Sequence, residues 1–230
     1  EAGVLDVAMG VYPAEMSAAR AIGELVDLHP GINCRVRLIS WKDVAAFVTA
    51  RDVDLGIGEI STLEDMPELE VEPIGQPRVV LFCRRDHPLV DRRQLSNDDL
   101  AGIPTVLPRL PPRGVGLFPG KTRVDPETGD LLPTVEVDNL TSARLVVAAS
   151  DALGMATPVQ IEDSLRSGEF RVLDYHRPWM ELDYGFIYLR QRMLSPAAKA
   201  YMDLVRRIDG EMCEANEGLM AEVHAGLGRG

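Results

Sequence analysis

Between Val4 and Gly58 the hydrophobic period switches repeatedly between that of a strand and that of a helix, and this alternation constrains the fold more than any other feature of the chain. Val4 to Met9 predicts a strand. After the turn Gly10, Val11, Tyr12, Pro13, the residues Ala18, Ile22, Leu25 and Val26 fall at helical spacing, and Pro30 with Gly31 stops that helix. Cys34, Val36 and Leu38 then alternate with Arg35 and Arg37, as in a strand with one buried face. Ser40 and Asp43 form a capping-box pair ahead of a helix lined by Val44, Phe47 and Val48, and Val53 to Gly58 is the next strand. Strands separated by helices in this way predict parallel pairing through crossover connections.

A second set begins at the continuous apolar run Val79 to Cys83, typical of a strand covered on both faces. Ser96 and Asp99 open a short helix, Thr105 to Leu107 and Thr134 to Val137 read as strands, Leu140 to Ser150 as a helix and Leu153 to Ala156 as a strand. Thr157, Pro158 and Gln160 combine a cap, a first-turn proline and a capping-box partner for a helix ending near Gly168. A strand at Tyr184 to Leu189 and a helix opened by Ser195 and Pro196, with Tyr201, Leu204, Val205 and Ile208 inward, complete the pattern. The expectation is an α/β fold of two Rossmann-like lobes, residues 1–79 with 190–230 and residues 80–189, the chain returning to the first after the second.

Composition narrows the function classes. With 24 basic and 36 acidic residues the net charge is -12, which repels nucleic-acid phosphates, so these residues alone are not expected to hold DNA. No run approaches the roughly 20 apolar residues of a membrane span. The chain opens at Glu1 directly on a strand-like segment rather than on a signal sequence, and reads as trimmed or processed. Cys34, Cys83 and Cys213 are sparse and lack paired spacing, which favours a reducing, cytoplasmic setting over a disulfide framework or a thiolate metal site. His29, His87, His176 and His224 are scattered, and no phosphate-cradling glycine loop, nucleophile elbow or paired-carboxylate signature is present. No cofactor, metal or catalytic residue is therefore assigned.

Four short motifs, in order, resemble the effector-binding domain of LysR-type transcriptional regulators across Leu5 to Ile208. They are His29, Pro30, Gly31, Ile32 at the end of the first helix; Val53 to Gly58 after the second; Arg85, Asp86, His87, Pro88, Leu89 after the strand that enters the second lobe; and Leu194 to Ala198 at the last helix start. The resemblance implies a fold like the type II periplasmic binding proteins, with two crossover strands joining the lobes and an effector in the cleft between them. It also implies a winged helix-turn-helix DNA-reading domain upstream, absent from these residues. A homodimer, or a tetramer built from it, is implied as well, and the nearly all-round apolar run Leu145 to Ala149 fits such extra burial. A transporter's periplasmic solute-binding protein is the alternative with the same fold.

In parallel sheets ligands sit beyond the carboxyl ends of strands. That rule selects Val11 to Ser17, Glu59 to Ser61, Pro108 to Arg109, Asn139 to Ser142 and Thr157 to Pro158. Ser17 and Thr141 offer hydroxyls at helix starts, where the dipole favours an anionic effector, unless they only cap their own helices. Arg109 suits a two-point carboxylate clamp, or else is a solvated loop arginine. Glu59 suits an amine or a hydroxyl-rich ligand, or pairs with an arginine. Tyr12, Ser61 and Thr157 complete the candidate set, while Trp41 reads as core rather than as a cover.

Two segments resist this pattern. Pro104 to Pro133 holds seven prolines and four glycines with no helical period, and its Arg109, Arg113, Lys121 and Arg123 form a basic cluster on an acidic chain. The acidic tail Asp209 to Gly230 shows only a weak amphipathic pattern through Met212, Ala215, Leu219 and Val223.

Overall fold

The structure is a computed structural model that describes residues 3–227 apart from 64, 115, 117 and 119; residues 1–2 and the last three of the tail, 228–230, lie outside the described residues. The chain divides into two units, Glu1–Pro77 with Leu182–Ala215 and Arg78–Glu181 with Asn216–Gly230.

The first unit opens with β1 (Gly3–Met9), followed without a break by α1 (Val11–Pro13), a π-helical turn (Ala14–Ala18) and α2 (Ala19–Leu28). Then come β2 (Ile32–Leu38), α3 (Trp41–Thr49), β3 (Leu55–Glu59) and β4 (Leu69–Gly75). The second unit carries β5 (Val80–Arg84), α4 (Asn97–Leu100), β6 (Thr105–Leu107), β7 (Arg123–Val124), β8 (Leu131–Leu132), β9 (Val135–Glu136), α5 (Leu140–Ala148), β10 (Leu153–Ala156), a 3-10 turn (Pro158–Ile161), α6 (Glu162–Ser167) and β11 (Phe170–Val172). The chain returns through β12 (Tyr184–Leu189) and ends in α7 (Pro196–Leu227).

The first sheet has the order β2-β1-β3-β12-β4, with β1 parallel to β2 and β3 and with β12 antiparallel to β3 and β4. The second has the order β11-β5-β10-β6-β9, parallel across β10, β6 and β9 and antiparallel at β5. Each unit thus has a parallel part, as the alternating periods predicted.

Packing in the first unit follows from small residues in β3. A Cβ on Gly56 would lie 2.5 Å from Val44 Cγ1, so only glycine lets α3 approach this closely. Val44, Ala45 and Val48 close that layer with Ala8, Ile60, Leu69 and Ile187. In the second unit His87 explains its own motif. Its Nδ1 accepts from Leu89 N–H at 3.1 Å and its Nε2 faces the Asp151 carbonyl at 3.3 Å, which requires the neutral ring with the proton on Nε2.

Four expectations are corrected. The Ser40 side chain does not cap α3; Asp43 N–H bonds instead to the Ser40 carbonyl at 3.0 Å, so the backbone turn does that work. The apolar face of β2 is not buried, because β2 is the edge strand of its sheet and Val36 and Leu38 remain 43% and 66% exposed. The run Leu145 to Ala149 gains no uniform burial, since Leu145 points outward. The expected lobe division fails at β12 and at the tail: β12 hydrogen-bonds into the first sheet, and Asn216 onward groups with the second unit.

Candidate functional site

In the first unit, the pairing of Met9 with Ile57 brings the ends of β1 and β3 together, so the loops after them emerge side by side. Gly10 N–H donates to the Ile57 carbonyl at 2.9 Å, and the Gly10 carbonyl accepts from Ala14 N–H at 3.1 Å, which starts the helical segment immediately. Tyr12 is half-buried there. Burial, and secondarily the negative charge of Glu15, push its phenol above the ordinary range, so it stays a neutral hydrogen-bonding group. Trp41 is half-buried rather than core, its Cβ within van der Waals reach of a side chain built on Gly10.

Ser17 lies in the π-helical turn and is fully buried. Its hydroxyl donates to Asp209 Oδ1 of α7 at 2.8 Å, and the Tyr184 hydroxyl donates to the same oxygen at 2.6 Å. Ser17 is therefore neither a helix cap nor an open hydroxyl; it ties the loop after β1 to α7. After β3, Glu59 Oε1 accepts from Ser61 N–H at 3.1 Å, folding the loop back on itself. The Ser61 Oγ is buried and has no hydrogen-bond partner among the described residues.

In the second unit, the parallel strands β9, β6 and β10 carry Thr141, Arg109 and Thr157 beyond their carboxyl ends. Thr141 is exposed, and the cap of α5 is Asn139, whose Oδ1 accepts from Ser142 N–H at 2.7 Å. Arg109 is neither solvated nor open. Its guanidinium meets Asp125 at 2.9 Å, Glu136 at 3.3 Å and Asp130 at 3.7 Å, with the side chain 16% exposed. It ties together described parts of the Pro104 to Pro133 segment, which include the β7–β8 hairpin. Thr157 is fully buried; its N–H and hydroxyl both donate to Gln160 Oε1, at 3.0 and 3.1 Å. The remaining Gln160 amide nitrogen is buried without a partner among the described residues.

Three contributors escaped the sequence reading as functional residues. Asp209 was hidden in an acidic tail, Asn139 sat at the edge of a loop already selected, and Gln160 was credited only as a capping partner. The strand-end rule took in Asn139 and stopped two residues short of Gln160, whereas nothing local pointed at Asp209.

Among the described residues no cluster of three or more His, Cys, Asp or Glu could hold a metal ion, and no helix is long and apolar enough to cross a membrane. The sequence matches the family described as the LysR substrate binding domain over residues 1–209. The chain belongs to the LysR substrate-binding domain family. This LysR domain is 30% identical over 207 residues to the SDS degradation transcriptional activation protein of a Pseudomonas strain, covering 88% of the chain and 66% of that protein. It is 26% identical over 198 residues to the RuBisCO operon transcriptional regulator of Acidithiobacillus ferrooxidans, covering 84% of the chain and 62% of that regulator. The chain thus spans less than two thirds of the length of each. Among solved structures, the LysR domain is similar to the regulatory domain of MetR from N. meningitidis, with TM-score 0.68, 14% identity and coverage of 91% of this chain and 94% of that one. The Synechocystis PCC6803 CcmR regulatory domain in complex with 2-PG matches with TM-score 0.68, 16% identity and coverage of 91% and 99%. These likenesses support the two-lobed fold read from the motifs, and the family match favours the regulator reading over the transporter alternative.

Proposed function

We propose that this LysR domain senses a small-molecule effector, as part of a longer transcription regulator whose upstream domain reads DNA. The observation that carries the reading is a pair of unsatisfied buried polar atoms, Ser61 Oγ after β3 and Gln160 Nε2 after β10, both beyond strand ends where such sheets hold ligands. A buried polar atom without a partner costs about 1–3 kcal/mol, which an acceptor on a bound molecule recovers. Each atom can donate, so a ligand at either loop presents carboxylate, carbonyl or hydroxyl oxygens to it. Tyr12 stands after β1, in the segment beside the Ser61 loop, Thr157 shares the loop of Gln160, and Thr141 stands at the start of α5, exposed. Glu59 and Arg109 act from behind, one shaping the Ser61 turn and the other bracing the second unit, because their charged ends are already engaged. Ser17 positions the Tyr12 loop through Asp209. The solved CcmR and QuiR domains, in complex with 2-PG and shikimate, support a small-molecule ligand for this one. The role is sensing, with no catalytic step, in a bacterial cytoplasm.

Assembly is part of the same proposal. The exposed apolar residues Val26, Leu28, Val36 and Leu38 lie on α2 and on the unpaired edge strand β2, a surface suited to burial in a homodimer. The reading is tested by a thermal-shift and calorimetric screen against small carboxylic acids, phosphorylated acids and short alkyl sulfates. Saturable binding that Ser61→Ala and Gln160→Ala weaken supports it. Binding that ignores both substitutions sinks the assigned loops.

A further inference from the structure

Asn216–Gly230 groups with the second unit although its helix begins at Pro196 in the first. The described part of this stretch is attached at several points. Asn216 is 1% exposed; its Oδ1 accepts from Val159 N–H at 3.3 Å and its Nδ2 donates to the Arg78 carbonyl at 3.0 Å. Leu219 and Met220 are buried. Glu222 lies 3.5 Å from Arg166 of α6, and the His224 ring stands edge-on to that of His176 with centroids 4.5 Å apart.

The Val159 contact is the informative one. Val159 sits in the first turn of Pro158–Ile161, where backbone N–H groups have no partner within the turn. The Thr157–Gln160 capping box leaves the Val159 N–H over, and Asn216 supplies its acceptor. The tail therefore completes the turn that also carries Gln160, the residue assigned above to the effector.

We propose that Asn216–Leu227 is a pH-responsive latch that holds the Thr157–Ile161 turn in its folded form. Its bearing on effector binding rests on the function proposed above; the latch itself does not. Burial, and next the neighbouring His224, hold the His176 ring below its ordinary titration range, with Arg78 and Arg177 acting in the same sense and Asp174, 3.4 Å from Nε2, opposing. The two rings pack edge to face. Acid puts a positive charge on the His176 ring, which the packed arrangement disfavours: it is partly buried, 4.5 Å from the His224 ring, and faces Arg78 and Arg177, with Asp174 alone opposing, so the end of α7 detaches. With it goes the acceptor for Val159.

Hydrogen exchange of the whole chain, without effector, tests this at pH 7.5 and pH 5.5 after correction for intrinsic rates. Peptides covering 157–161 and 216–227 should gain exchange together at the lower pH by about fivefold, the population change that one lost hydrogen bond gives, while β10 peptides hold. Asn216→Ala should exchange fast at 157–161 at both pH values. His224→Gln, a change at an exposed position that leaves the fold intact, should keep both segments protected at pH 5.5. Loosening of 216–227 with no change at 157–161 would overturn the latch, as would a His224→Gln chain that opens like the parent. Failure to bind any small molecule would instead count against the effector reading and leave these exchange results standing.

Discussion

The Ser17 hydroxyl and the Asp209 carboxylate meet at 2.8 Å inside the first unit, 192 residues apart in sequence, and Tyr184 donates to the same oxygen. Replacing Asp209 by alanine strands two buried hydroxyls, so unfolding free energy should fall by about 2–4 kcal/mol. Tyr184→Phe removes one donor and leaves the other paired, and should cost about 1 kcal/mol. Urea unfolding of the three proteins checks the order; equal losses would contradict the shared-oxygen account.

Arg109 should prove structural. Arg109→Ala leaves Asp125, Asp130 and Glu136 facing one another, so limited proteolysis should cut the 110–132 segment markedly faster than in the parent while the rest of the second unit resists. Arg109→Lys should rescue little, because one ammonium cannot span three carboxylates as a planar guanidinium does.

His87 gives a signed pH dependence. Burial holds its imidazole below the ordinary value, and its Nδ1 must stay unprotonated to accept from Leu89. The unfolded chain takes up that proton near pH 6.5 and the folded chain only at lower pH. The stabilisation is therefore complete above about pH 6.5 and is lost as pH falls below it. His87→Asn keeps an acceptor without the titration, so its stability deficit should shrink between pH 8 and pH 5.5 in denaturation midpoints.

Gly154→Ala places a methyl group into the Phe82 ring across the β5–β10 pair, and should cost about 1–3 kcal/mol through overpacking. Phe82→Leu should recover part of that loss in the double variant, a coupling that a double-mutant cycle measures directly.

Leu38, 66% exposed on the edge strand, should govern self-association. Leu38→Glu should leave the fold intact and shift sedimentation to a single slower boundary at micromolar concentration. An unmodified chain that already sediments as a monomer would remove the assembly proposal.

The elements read well from sequence were those with a clean period. The Ala18 to Val26 helix, the strand around Val36 and the helix from Trp41 all stand where the pattern put them. The strand Leu69–Gly75 escaped because Pro73 interrupts its alternation and its pairing with β12 reaches far along the chain. β7 and β8 have two residues each, too few to show a period. The positions of the candidate loops were legible for a general reason, that a connection follows the carboxyl end of each parallel strand. What each side chain does there was not, since the partners of Ser17 and Arg109 lie far off in sequence, and whether a hydroxyl or guanidinium is free depends on them.

The Pro104 to Pro133 excursion is sealed at its neck. Thr105 and Thr134 exchange amide-to-hydroxyl bonds at 3.2 Å in each direction, and the Thr134 hydroxyl donates to the Lys121 carbonyl at 2.8 Å. The strands β6 and β9 are thus held in register at their start by the two threonines, with Lys121 of the intervening chain as the acceptor for Thr134. In engineering terms this is an anchor point: both threonines and Lys121 have to be kept in any redesign of the chain between them, because together they set the register of the sheet that carries the candidate loops.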